Sequence, residues 1–320
     1  MADNKMIWSF FLQLSIHMWE DENSGPRGWY QEPFYRPTND TDIAVWDELV
    51  KFIAERKFNM CVIDVGDGIR YESHPEISAP DAWSKDFLKK KLDEMRALGI
   101  EPIPKLNFSA CHHTWLHEYR RMLCTPTYYK VAADVIAEVC EVFGTPRFFH
   151  LGMDEETYRH QQDKGLIAIR QGDVWWHDAF FLFKECEKNG VRPWVWSDYY
   201  WDHPDLFEKN MPKSVLQSNW YYDHFRDYPE GHPCLKYIDT YRHLDELGYE
   251  QIPGCSTWST NYNEIGTLLY GRNRLNPAGL LGYMTIPWCP TTGQYEFYMK
   301  NDAHQFYDAR RKVYPESLCG

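Results

Sequence analysis

The chain has 320 residues, more than a typical single domain but an ordinary length for one α/β barrel, which takes about 250 residues plus insertions. Its 25% charged and 43% apolar residues, without a low-complexity tract, exclude a disordered chain. The formal net charge of -13 argues against a nucleic-acid or anionic-membrane partner, since either needs a basic face, and favours an uncharged ligand.

Strand-length apolar runs fall near 6–15, 59–65, 100–108, 147–154, 192–198, 214–221, 250–258 and 280–288. Segments of helical period lie between them, near 42–57, 84–98, 126–143, 173–189, 203–210, 235–247, 263–275 and 294–313. Ser84 and Asp173 are placed to cap helix starts, and Gly99, Gly144, Gly190 and Gly248 each follow a helix and lead into the next strand. Eight strands, each followed by a helix, predict a single (β/α)8 barrel over residues 1–320. An open doubly wound sheet is the rival, but the Gly-rich phosphate turn it would carry after its first strand is missing.

The nine cysteines are scattered singly, with neither a Cys-x-x-Cys pair nor a zinc spacing, which predicts reduced and mostly buried thiols. The N-terminus lacks a signal-peptide pattern, so the protein is cytoplasmic or has been exported with its signal removed. No apolar run reaches the roughly 18 residues of a membrane span. Nothing in the sequence sets the oligomeric state.

A barrel assembles its active site from the C-terminal ends of its strands. Those ends supply Gln13 and His17; Asp64 and Asp67; Asn107, His112 and His113; His150, Asp154 and Glu155; Trp196 and Asp198; Trp220, Tyr221 and Asp223; Trp258 and Asn261; and Trp288. Carboxylates, amides, imidazoles and indoles with hardly a cation among them suit a neutral polyol, so a carbohydrate is the expected partner. Trp196, Trp220, Trp258 and Trp288, one from each of the last four strands, form a candidate aromatic wall for a sugar ring, with core packing as the plainer reading.

The centre of the pattern is Arg147-Phe-Phe-His150-Leu-Gly152-Met-Asp154-Glu155-Glu156. Adjacent residues of a regular strand point to opposite faces, so Asp154 and Glu155 can share a ligand only if the strand ends or bulges just after Gly152. Two carboxyls held close push one pKa up, which makes a general acid near neutral pH. The alternative has Asp154 capping a helix whose first turn holds Glu155 and Glu156, and for Glu156 a helix-start carboxylate is the expectation. His113 and His117, four apart beside His112, are weak metal candidates because the Glu of a zinc-hydrolase helix and a spaced third ligand are both missing. No metal and no cofactor is expected. His150 reads as a hydrogen-bond partner that fixes the acids, or as a core histidine.

The motifs resemble the catalytic barrel of glycoside hydrolase family 20, the β-N-acetylhexosaminidases. His150-Leu-Gly152-Met153-Asp154-Glu155 is similar to that family's His-x-Gly-Gly-Asp-Glu fourth strand, with one Gly become Met. Phe58 through Asp67 with Tyr71-Glu-Ser-His-Pro75, Pro104-Lys-Leu-Asn107 with His112, and Ser218-Asn-Trp220-Tyr221-Tyr-Asp223 resemble its second, third and sixth strands, so the likeness runs from about residue 42 to 260.

The resemblance implies substrate-assisted retaining hydrolysis of a terminal 2-acetamido-2-deoxy-β-hexoside, an exception to the usual two-carboxylate scheme. It makes Glu155 the general acid/base and Asp154 the orienter of the acetamido group. Tyr221 would donate to the acetamido oxygen, Trp220 wall its pocket, Asp67 and His112 orient Glu155, and Asp223 bind sugar hydroxyls. The family's Arg on the first strand and its Glu after the Trp of the seventh are missing, Asn107 stands for an Asp, and the family's extra N-terminal domain has no counterpart. A divergent reading of the sugar's distal end follows. Three other readings stand beside this one: a retaining glycosidase with Asp198 or Glu264 as its own nucleophile, a sugar-binding barrel that has lost catalysis, and a metal-dependent hydrolase.

Overall fold

The computed structural model describes residues 6–17, 36–162 and 164–318. Eight parallel strands form one sheet: β1 Ile7–Gln13, β2 Met60–Asp64, β3 Glu101–Lys105, β4 Phe148–His150, β5 Arg192–Trp196, β6 Leu216–Ser218, β7 Gly254–Cys255 and β8 Gly282–Thr285. They pair in sequence order from β1 to β6, and β1 also pairs with β8, which pairs with β7. Parallel bridges Gln217↔Gln251 and Trp220↔Gly254 join the two ends, so the sheet closes as a (β/α)8 barrel.

Around it lie α1 Ile43–Glu55, α2 Lys85–Ala97, α3 Pro126–Val142, α5 Asp173–Lys188, α7 Pro204–Asn210, α8 Leu235–Glu246, α9 Asn263–Arg274 and α10 Glu296–Val313. Two single-turn helices, α4 Tyr158–Gln161 and α6 Tyr199–Asp202, sit in the loops above the strands. All eight strands and eight major helices fall where the apolar periodicity puts them. Gly99, Gly144, Gly190 and Gly248 adopt the left-handed backbone (φ between +69° and +80°) that ends a helix cleanly. Ser84 caps α2 by accepting from the Phe87 N–H, whereas the cap of α5 is Gly172, and Asp173 is its first helical residue.

The side-chain alternation of the strands divides the core. Ile7, Phe11, Met60, Val62, Ile103, Phe148, Trp194, Leu216 and Met284 fill the barrel, while Trp8, Phe10, Leu12, Cys61, Ile63, Phe149 and Val195 pack outward under the helices. Above the apolar plug, Gln13, Asp64, Lys105 and His150 are successive register partners across β1 to β4, so a polar row forms the floor of the site. Lys105 and Asp64 make a fully buried ion pair there. Among the described cysteines none is in a disulfide, and six of the eight are buried; Cys319 lies outside the described residues. No helix of the described residues is long and apolar enough to cross a membrane.

Candidate active site

β4 stops at His150 because the backbone leaves the strand region at once: Gly152, Met153 and Glu155 take φ of +71°, +72° and +55°. This turn breaks the alternation, and Asp154 and Glu155 both line one cavity of about 890 Å³ at the strand ends. The turn depends on a missing side chain. A Cβ on Gly152 would lie 2.0 Å from Asn107 Oδ1, and that oxygen accepts from the N–H groups of Met153 (3.2 Å) and Ser109 (3.0 Å). The Asn107 amide donates to Asp154 Oδ1 at 2.8 Å, Gly152 N–H donates to His150 Nδ1 at 3.0 Å, and Glu155 N–H donates to Asp198 Oδ2 at 2.8 Å. Neither acid opens a helix, because α4 begins later, at Tyr158, behind its Thr157 cap.

His112 stands between the two acids, its Nε2 at 3.3 Å from Asp154 Oδ2 and 3.2 Å from Glu155 Oε2. Burial opposes a charge on this ring, yet the neighbouring Cys111 sulfur and Asp154 carboxylate raise its pKa well above the ordinary histidine value. Burial would likewise raise Asp154, but His112, Lys105 and the Asn107 amide hold it well below the usual carboxylate range. Asp198 goes the other way: burial, then the charge of Asp154, push its carboxyl well above that range, and the Glu155 N–H offsets only part of this. The two carboxyls are thus pushed in opposite directions, Asp154 toward the ionised form and Asp198 toward the protonated one.

Trp196, Trp220, Trp258 and Trp288 all line the cavity, as do His112, Asp198, Tyr221 and, at the exposed rim, Asp223. Trp196 and Trp288 lie 6.1 Å apart, and Trp220 stacks on Tyr222 at 5.0 Å. Tyr222 is a residue the sequence reading missed. Trp220 and Tyr222 pack on the barrel-interior cluster while Tyr221 packs on the outer one, so the alternation of β6 continues past its end. The Tyr221 hydroxyl meets Tyr228 at 3.0 Å; the buried Tyr222 hydroxyl lies beside Trp288, and burial first, then the nearby charges of Asp154 and Glu155, raise its pKa well above the ordinary tyrosine value.

Of the strand-end residues, Gln13, His17, Asp64, Asp67, Asn107, His113, His150 and Asn261 do not line the cavity. Asn107 supports it from below, as described. His150, neutral because burial lowers its pKa, lies between Trp194 and Trp196 and holds the Gly152 N–H rather than the acids. Gln13 is buried in the polar floor. Asp67 does not reach Glu155. It accepts instead from Ser15 Oγ (2.5 Å), His17 Nδ1 (2.6 Å) and His117 Nε2 (3.1 Å), and despite burial the bonds from His117, His17 and Ser15 hold its pKa down at about 2. His17 is thereby a structural partner of Asp67.

Glu264 lies away from the site as well, beside Asp302 with its Oε1 accepting from Thr285. Glu156 is no helix-start carboxylate: Arg170 grips it, with Nε at 2.8 Å from Oε1, and also reaches Asp178. His112, His113 and His117 do not converge. Among the described residues the one group able to hold a metal ion is Cys111, His112 and Glu155.

The same architecture occurs in solved structures. The exo-β-N-acetylglucosaminidase of Vibrio harveyi, in the GH20 group, matches 98% of this chain and 58% of its own at a TM-score of 0.59 and 11% identity. The pneumococcal virulence factor StrH matches over 97% and 85% (TM-score 0.61, 14% identity), and the β-N-acetylhexosaminidase of Bacteroides fragilis over 98% and 71% (0.59, 14%). This chain has the fold of the GH20 hexosaminidases. It spans less than two thirds of the Vibrio enzyme's length. No family model matches the sequence, and no curated protein sequence matches it.

Proposed function

We propose that the protein is a glycoside hydrolase that releases a terminal β-linked 2-acetamido-2-deoxy-hexose by substrate-assisted retaining hydrolysis, with residues 1–320 acting as one catalytic unit. The observation that carries this reading is the turn after β4, which aims Asp154 and Glu155 into one tryptophan-walled cavity of a hexosaminidase-fold barrel. The N-acetylglucosamine bound by the Vibrio enzyme and the N-glycans that StrH recognises and hydrolyses are in keeping with it.

In this mechanism Glu155 gives its proton to the glycosidic oxygen as the aglycone leaves, and the substrate's acetamido oxygen forms the new bond to the anomeric carbon. Asp154, kept ionised, accepts the acetamido N–H and so makes that oxygen more nucleophilic. Glu155 then takes a proton from the water that opens the cyclic intermediate, and two displacements leave the β configuration retained. His112, between the two carboxylates, fixes their orientation and relieves their repulsion. The Tyr222 hydroxyl, beside the two acids, is better placed to donate to the acetamido oxygen than that of Tyr221, which Tyr228 engages.

An enzyme-borne nucleophile is disfavoured: a nucleophilic carboxyl must be ionised, burial and the charge of Asp154 work against ionising Asp198, and Glu264 faces Asp302. A catalytically silent sugar-binding barrel is favoured only by the missing distal Arg and Glu. A panel of aryl glycosides, with and without a 2-acetamido group, tests these readings. We expect cleavage of acetamido substrates alone and inhibition by the thiazoline analogue of the intermediate; turnover of non-acetamido glycosides, or saccharide binding without any turnover, would overturn the proposal.

A further inference from the structure

Cys111, His112 and Glu155 each offer one ligand atom, and these atoms all lie within 4.8 Å of one another. The first two come from the loop after β3, and Glu155 from the turn after β4. A cation bound about 2.0 Å from a nitrogen and an oxygen in tetrahedral geometry needs those atoms about 3.3 Å apart. His112 Nε2 and Glu155 Oε2 are 3.2 Å apart. Cys111 is buried and its loop is tied down, with its N–H donating to Ser109 Oγ at 3.0 Å and its thiol to the His160 carbonyl at 3.6 Å.

The charges around these ligand atoms are mixed, with the Asp154 carboxylate favouring a cation. Asp154 Oδ2 is 3.3 Å from the same His112 nitrogen, and His160 Nε2 is 3.4 Å from the other Glu155 oxygen. Lys164 Nζ, 3.8 Å from the Cys111 sulfur, opposes it.

We propose that Cys111, His112 and Glu155 form a binding site for a borderline-soft divalent cation of the zinc class, and that filling it switches the hydrolase off. Thiolate, imidazole and carboxylate make a donor set that Zn²⁺ takes, with water in the fourth position, whereas Mg²⁺ and Ca²⁺ require oxygen ligands throughout. On binding, sulfur, nitrogen and oxygen each form a bond to the metal, and the thiol and the imidazolium each release a proton to solvent without any change of oxidation state. A metal-bound Glu155 cannot carry a proton, so this is an inhibitory site and not a cofactor site. The inhibition rests on the function proposed above; the binding does not.

Calorimetry of the full chain with zinc chloride alone, and absorption spectra with cobalt chloride, test the binding arm without any need for turnover. One equivalent of Zn²⁺ should bind, Mg²⁺ should not, and Co²⁺ should give a thiolate-to-metal charge-transfer band. Cys111→Ala should abolish the band and weaken zinc on the order of 100-fold, and Glu155→Gln, at a half-exposed position, should weaken zinc while leaving the chain folded. In turnover, zinc should block the wild type, a chelator should restore it, and Cys111→Ala should resist the block. No heat with zinc, or a cobalt band that survives Cys111→Ala, would overturn the site; zinc binding with undiminished hydrolysis would overturn the switch, and a chain that binds zinc but cleaves nothing would count against the proposed function instead.

Discussion

Replacing Gly152 with Ala should cost far more than one methyl group. The residue sits at φ +71°, and the left-handed conformation costs an L-residue about 1–2 kcal/mol. The new Cβ would also meet Asn107 Oδ1 at 2.0 Å, so the amide has to move. With it go the hydrogen bond to the ionised Asp154, worth about 1.5–3 kcal/mol, and two bonds from the backbone N–H groups of Ser109 and Met153, about 1 kcal/mol each. The loss comes to about 5 kcal/mol, a large part of the 5–15 kcal/mol that holds a typical domain together. Urea denaturation followed by circular dichroism measures it. In an Asn107→Ala background the obstructing amide is gone, and Gly152→Ala should then cost only the left-handed term, leaving a coupling energy of about 4 kcal/mol. Equal losses in the two backgrounds would refute the argument that Asn107 is what Gly152 makes room for.

Asp198→Asn keeps the acceptor for the Glu155 N–H and replaces a carboxyl whose ionisation burial already opposes, so turnover of an acetamido glycoside should stay within about tenfold; a loss of several orders of magnitude with a trapped covalent glycosyl-enzyme would restore the nucleophile reading. Tyr222→Phe should lower kcat on the order of 100-fold while Tyr221→Phe changes it little, and the reverse order would return the donor role to Tyr221. Burial and then mutual repulsion raise the Glu264 pKa well above its ordinary value, and burial raises that of Asp302 against its bonds from Thr285 and Thr257. A raised folded-state pKa means that this pair's contribution is complete below about pH 4, where the unfolded carboxyls titrate, and declines as pH climbs through the raised values. Asp302→Asn removes its own share of that decline and the repulsion on Glu264, so its stability relative to wild type should improve as pH rises above about 4 in urea titrations, and a flat difference would contradict it.

The fold was legible because its punctuation is local: four helices are stopped by a glycine with a left-handed backbone, and each strand is a separate apolar run. The two acids were legible as a motif, and their convergence follows once Gly152 is allowed to turn the chain. The supports were not, since they depend on contacts far apart in sequence. Glu156 finds Arg170 fourteen positions on, across a stretch without periodicity. Asp67 follows Gly66, whose φ of +43° turns the chain so that the carboxylate meets His17 and His117 rather than Glu155. Tyr221 and Tyr222 differ only in parity, and whether the alternation of β6 persists beyond Ser218 depends on the bridge between Trp220 and Gly254 in the closing seam.

Position 153 has a bearing on how related chains are to be found. Met153 adopts φ +72° and buries its side chain against the outer core and the cavity wall, so this site tolerates a bulky residue and recovers in packing what the backbone loses. Position 152 has no such freedom. A search pattern that demands two glycines before the acids therefore discards chains able to build this turn, whereas His-x-Gly-x-Asp-Glu, joined to an Asn or Asp one strand earlier, keeps the single glycine that the geometry requires.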